Sequence, residues 1–117
     1  MKKAPLILFI SALLGITSVI YGRNPVPYSG KVSVDGVNFS GSALFSFELI
    51  DGNKTVHWHN GLDTNGTISV SVRNGRYLVL LGGQGMTPLP SRLFLDHDKL
   101  YLRVHVDLKD GQGLRHL

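Results

Sequence analysis

The sequence predicts an all-β domain, a β-sandwich of about six to seven short antiparallel strands, with a small open β-barrel as the alternative. Beyond residue 27, apolar and polar residues alternate through most of the chain, the period of a half-buried strand. Asp35-Gly36, Asp51-Gly52 and Asn74-Gly75 interrupt that alternation, and such pairs tolerate the positive φ angles of tight hairpin turns. No stretch of useful length repeats its apolar residues at a helical spacing.

Met1-Lys2-Lys3 and the apolar run from Ala4 to Ile20 have the charged start and hydrophobic middle of a secretory signal, assigned to residues 1–22 with cleavage after Gly22. Ala4 to Gly22 also approaches the roughly 20 residues that cross a bilayer, so retention as an anchor is the alternative. Residues 23–27, with Pro25 and Pro27, read as a linker, and 28–117 as the domain. A first strand from Tyr28 to Val34 turns at Asp35-Gly36. Ala43, Phe45, Phe47 and Leu49 alternate along the next. A two-residue turn at Asp51-Gly52 then sets Phe47 against Val56 and Phe45 against Trp58, with His57 and His59 outward. A three-residue turn exposes Trp58 and buries imidazoles, so the apolar pattern selects the shorter one.

The clearest hairpin runs from Thr67 to Leu81 about Asn74-Gly75. Its core face pairs Val72 with Tyr77, Val70 with Val79 and Ile68 with Leu81. The other face, Ser71 against Leu78 and Ser69 against Leu80, is only half polar and suits a partly covered surface. Arg73 against Arg76 is a like-charge pair that belongs at an exposed tip. Gly82-Gly83-Gln84-Gly85 reads as a flexible connection, followed by Pro88, Pro90 and one helical turn at Arg92 to Leu95. The last strand is the most regular: Leu100, Leu102, Val104, Val106 and Leu108 inward, Tyr101, Arg103, His105 and Asp107 outward.

Charge and composition exclude several classes of function. The net charge of +4 includes Lys2 and Lys3 of the signal, and the other basic residues are scattered along the chain, which argues against a nucleic-acid partner. Cysteine is absent, so disulfides, thiolate metal sites, a thiol nucleophile and bacterial lipid attachment are all excluded. No serine lies in a Gly-x-Ser-x-Gly elbow, and Glu48, the sole glutamate, leaves a glycosidase carboxylate pair without its usual members. The glycines at 82–85 are followed by prolines rather than by a helix that could take a phosphate. The expectation is a protein that is not an enzyme and holds no cofactor.

Two sets of residues remain as candidates. His57 and His59, two apart on a strand, share a face as in many metal sites, with His97, Asp96, Asp98 or His105 as possible third ligand. Tyr101, Arg103 and His105 form an outward strip suited to a sugar or peptide.

Tyr28-Ser29-Gly30-Lys31-Val32, Gly41 to Leu49, Val56-His57-Trp58, Asn74-Gly75-Arg76-Tyr77, Leu80-Leu81-Gly82, Pro88-Leu89-Pro90 and Leu100-Tyr101-Leu102-Arg103-Val104 together carry a resemblance over Tyr28 to Leu117. The chain resembles a loose family of uncharacterised secreted bacterial proteins, frequent in planctomycetes and verrucomicrobia. The resemblance implies a module placed just after a signal peptide, often ahead of surface, fibre-like or repeat regions, with no activity attached. It also implies a further segment with proline and glutamine, so that 28–117 is C-terminally incomplete or the gene is short. In that case a strand edge near Val104, Val106 and Leu108 is uncovered and open to self-association. The function expected is a non-catalytic exported structural or interaction module of the bacterial cell surface or envelope. Its partners would be protein or glycan, with membrane contact only through the export segment. A small carbohydrate- or peptide-binding domain, and a metal site at His57 and His59, are the alternatives.

Overall fold

The computed structural model describes residues 25–61 and 66–117; the signal expected over 1–22 lies outside the described residues. No described helix is long and apolar enough to cross a membrane. The strands are β1 (Val26–Lys31), β2 (Ser33–Val34), β3 (Val37–Asn38), β4 (Gly41–Ile50), β5 (Val56–His59), β6 (Ile68–Val72), β7 (Arg76–Leu81), β8 (Tyr101–Asp107) and β9 (Arg115–His116), with one helical turn, α1 (Leu93–Asp96). The domain is all-β, and its sheets are antiparallel and open. The count exceeds the expected six to seven because β2, β3 and β9 are two-residue strands.

β4 is the hub. Along one side it pairs with β8 over residues 44–50; along the other it pairs with β6 over 41–45 and then with β5 over 48–50. β1 and β7 form a second sheet. Between the two sheets lie Phe45 and Phe47, stacked at 5.6 Å, with the Tyr77 ring 4.5 Å from Phe45. Trp58, Val70, Val72, Val79, Leu81, Val104 and Val106 complete the core. The alternation of each strand dictates this: every second side chain faces the same interior.

Six expectations need correction. The linker is shorter than 23–27, because Val26 and Pro27 belong to β1, opposite Leu81 and Leu80. Proline is tolerated there because β1 is an edge strand. The first strand does not run unbroken from Tyr28 to Val34; it kinks at buried Val32, whose N–H donates to Gly75 O at 2.7 Å.

The Thr67–Leu81 hairpin has its turn but not its ladder. Asn74 (φ 52°) and Gly75 (φ 79°) form the expected turn, and Arg73 and Arg76 exchange two backbone hydrogen bonds of 2.9 Å. Beyond that pair the arms part, β6 joining β4 and β7 joining β1. The inward faces are as expected, because alternation fixes the face of a residue and not its neighbour.

The β4–β5 register also differs. Gly52-Asn53-Lys54 make a three-residue turn closed by the Asp51 N–H to Thr55 O bond (3.0 Å), with Lys54 at φ 68°. Trp58 nevertheless points inward, opposite Leu49 rather than Phe45, because the register shifts by one residue at His57. This β-bulge restores the face that the longer turn would have reversed. Asn60, not Val56, lies against Phe47, donating its backbone N–H to Phe47 O (3.1 Å) and accepting the Phe47 N–H on Oδ1 (2.6 Å).

Residues 82–86 form two hydrogen-bonded turns, Gly83 N–H to Leu80 O and Met86 N–H to Gly83 O, rather than a flexible connection. At the other end, Val104 and Val106 are buried, β9 pairs with β8 at His105 and Val106, and the Leu117 N–H donates to Val104 O (2.9 Å). The strand edge expected to lie uncovered is therefore paired at residues 104–106, while Leu108 is half-buried.

Candidate functional site

Tyr101, Arg103 and His105 share the outer face of the large sheet, as the alternation of β8 requires. Their neighbours come from far along the chain. Arg103 Nε donates to Glu48 Oε1 at 2.8 Å, and both side chains are largely shielded. The His105 ring packs edge-on against His116 of β9 at 5.2 Å. Tyr101 remains half exposed. The strip is thus a braced polar lattice with a single protruding ring.

His57 and His59 are held apart by different partners. His59 Nδ1 accepts the Gly61 N–H (3.0 Å), which leaves the proton on Nε2 to be donated to Ser46 Oγ (3.0 Å). His57, at the bulge, donates Nε2–H to Asp51 Oδ2 (2.8 Å) and packs on His97 with ring centroids 4.0 Å apart. Of the expected third ligands, His97 is brought to His57, whereas Asp96 pairs with Arg92 and His105 with His116. Among the described residues, no group of three or more His, Asp or Glu side chains is arranged to hold a metal ion.

Asp51 organises the turn before β5. Its carboxylate takes hydrogen bonds from His57, from the Thr55 N–H (3.0 Å) and from the Asn53 N–H (2.8 Å). The His57 bond first, and then that from Thr55, hold its pKa below the ordinary carboxylate value. A depressed folded-state pKa contributes stability that is present above the unfolded value and is lost as pH falls through the folded one. Asp51→Asn should therefore lower Tm at neutral pH, and the two Tm curves should converge below about pH 4 as the wild-type carboxyl protonates. Differential scanning calorimetry across that range checks this; a gap that persists unchanged in acid shows the charge to be irrelevant.

The parted hairpin builds a different kind of site. Arg73 and Arg76 turn their backbone groups toward each other, so alternation turns those of Ser69 and Ser71 from one arm, and of Leu78 and Leu80 from the other, into the gap between them. Leu80 O is taken by the Gly83 N–H, but among the described residues no strand pairs with either facing edge. The gap is an open groove of about 380 Å³. Buried Val70, Val79 and Met86 line its depth, and the exposed Ser69, Ser71, Leu78 and Leu80 line its mouth. Leu78 is 64% exposed and Leu80 51%, large values for leucines on a strand and enough to mark an apolar rim. A second hollow, of about 490 Å³, shares Ser71 and Leu78 and runs on to Arg73 and Arg76.

A family described as a domain of unknown function, DUF8740, matches residues 27–116. The chain belongs to that family. No curated protein and no solved structure matches it. In this DUF8740 domain, the closed end of the groove carries a row of cations: Lys31 of β1 lies opposite Arg76 of β7, and Arg76 opposite Arg73, just past the end of β6. All three are exposed, and the ion pairs formed among the described residues involve none of them.

Sequence reasoning found the strip and the histidines but not the groove, and it took the basic residues to be scattered. Two signals pointed to the DUF8740 groove: the like-charge pair Arg73 and Arg76, and leucines facing serines on what should be a polar face. The row with Lys31 needs the β1–β7 pairing, which no local pattern contains.

Proposed function

We propose that this domain is a non-catalytic interaction module, exported through residues 1–22, that takes up an extended polypeptide segment between β6 and β7. The carrying observation is the pair of facing strand edges at Ser69/Ser71 and Leu78/Leu80. Backbone N–H and C=O groups in a groove with an apolar floor are matched by another backbone in extended form, the mode of strand addition. Such a segment would join the two sheets into one, bonding to both arms. Its alternate side chains would enter toward Val70, Val79 and Met86. Export is supported by Met1-Lys2-Lys3 and the apolar run after it.

The test is a random-peptide display selection on the chain, followed by NMR titration with the selected peptides. Strand uptake predicts that the Ser69, Ser71 and Leu78 amides shift and become protected from hydrogen exchange. Shifts confined to Tyr101, Arg103 and His105 would place recognition on the outer strip and overturn the groove.

A further inference from the structure

We propose, resting on strand uptake in the groove, that the segment bound is acidic and that its carboxylate is held by Arg73 and Arg76 at the closed end. The argument is charge complementarity. Lys31, Arg76 and Arg73 stand side by side in one row, on directly paired positions of β1, β7 and the residue that follows β6. Like charges directly opposite on neighbouring strands are destabilising, and here no acidic side chain among the described residues forms an ion pair with them. The repulsion is relieved when an anion joins the row.

The anion is placed by the fold. The hollow lined by Ser29, Ser71, Arg73, Arg76 and Leu78 continues the groove, sharing Ser71 and Leu78 with it. A segment running along the edges of β6 and β7 therefore ends its path at the two guanidinium groups, which bind carboxylates with paired N–H donors. The groove also argues against a nucleic-acid strand. Its mouth is lined by leucine and serine and offers no exposed aromatic ring on which bases could stack, since Tyr77 there is 4% exposed. The partner chemistry is an extended polypeptide with small or apolar residues at alternate positions and an aspartate or glutamate at the end nearest the turn.

The experiment uses two synthetic peptides of alternating valine and serine, one ending in two aspartates and the other in two asparagines, with blocked termini. Each is titrated by NMR into the wild-type chain and into the Arg73→Gln, Arg76→Gln double variant. Both substitutions are at exposed positions of the turn and remove a repulsion, so the variant should fold with an unchanged or higher Tm. The acidic peptide should bind the wild type at least about tenfold more tightly than the neutral one. The difference should vanish in the double variant and shrink with added salt.

If both peptides shift the Ser69, Ser71 and Leu78 amides with equal affinity, strand uptake stands and the carboxylate assignment falls. If the acidic peptide perturbs only Lys31, Arg73 and Arg76 and leaves the groove amides unmoved, strand uptake itself falls and the assignment with it. An oligothymidylate that binds the row more tightly than the acidic peptide would make it a site for nucleic acid and overturn the proposal.

Discussion

Gly30→Ala should destabilise the domain by about 2–3 kcal/mol, the upper part of the range for overpacking a filled core. Gly30 lies opposite Tyr77 in the β1–β7 ladder, and the tyrosine ring lies across it. A Cβ added at Gly30 would stand 2.3 Å from both Cζ and Oη of Tyr77. The ring cannot move aside, because it packs 4.5 Å from Phe45 and 6.1 Å from Tyr28 and is nearly fully buried. Burial, and after it the neighbouring Tyr28 phenol, raises the pKa of the Tyr77 hydroxyl. Urea denaturation of Gly30→Ala, Tyr77→Leu and the double variant measures the coupling. The double variant should lose clearly less than the sum of the singles. Additive losses would mean that the glycine does not make room for the ring.

Asn60→Ala should cost about 1–3 kcal/mol, the penalty for a buried donor left without an acceptor. Asn60 is 1% exposed, and its Oδ1 accepts the Phe47 N–H at 2.6 Å in the middle of the core strand. Its backbone O also accepts the Thr87 N–H (3.0 Å), and Thr87 O accepts the Trp58 Nε1–H (2.9 Å), so one residue joins β4 to the segment that covers Trp58. The loss is softened by the Asn60 Nδ2 group, itself buried without a hydrogen-bond partner among the described residues, which alanine removes. Hydrogen exchange at the Phe47 amide separates the contributions. It should quicken by more than the fall in global stability accounts for, whereas an amide that slows or holds its rate would show another acceptor in place.

These two positions also mark how far the sequence could be read. Turn residues were legible: Asp35-Gly36 and Asn74-Gly75 stand at positive φ where local chemistry put them. So were faces, since Val70, Val72, Tyr77, Val79 and Leu81 are all buried as their alternation required. Pairing partners were not legible. Period two states which way Val70 points but not whether β4 or β7 lies beside it. Lys54 at positive φ carries no local signal, and the bulge at His57 that corrects for it is chosen by the gain in burying Trp58. The candidate site follows the same division. Tyr101, Arg103 and His105 share a face because they share a strand, whereas the groove and the row of Lys31, Arg73 and Arg76 exist only where separate strands meet.

The central position of β4 has a consequence for the order of assembly. Its longest partner, β8, is contributed by residues 101–107, so the main sheet has one side of its hub bare until nearly the whole domain has left the ribosome. Loop closure over such a span is slow compared with the local hairpins at Asp35-Gly36 and Asp51–Thr55. A growing chain therefore holds small turns around an unfinished centre until β8 is available to pair with β4.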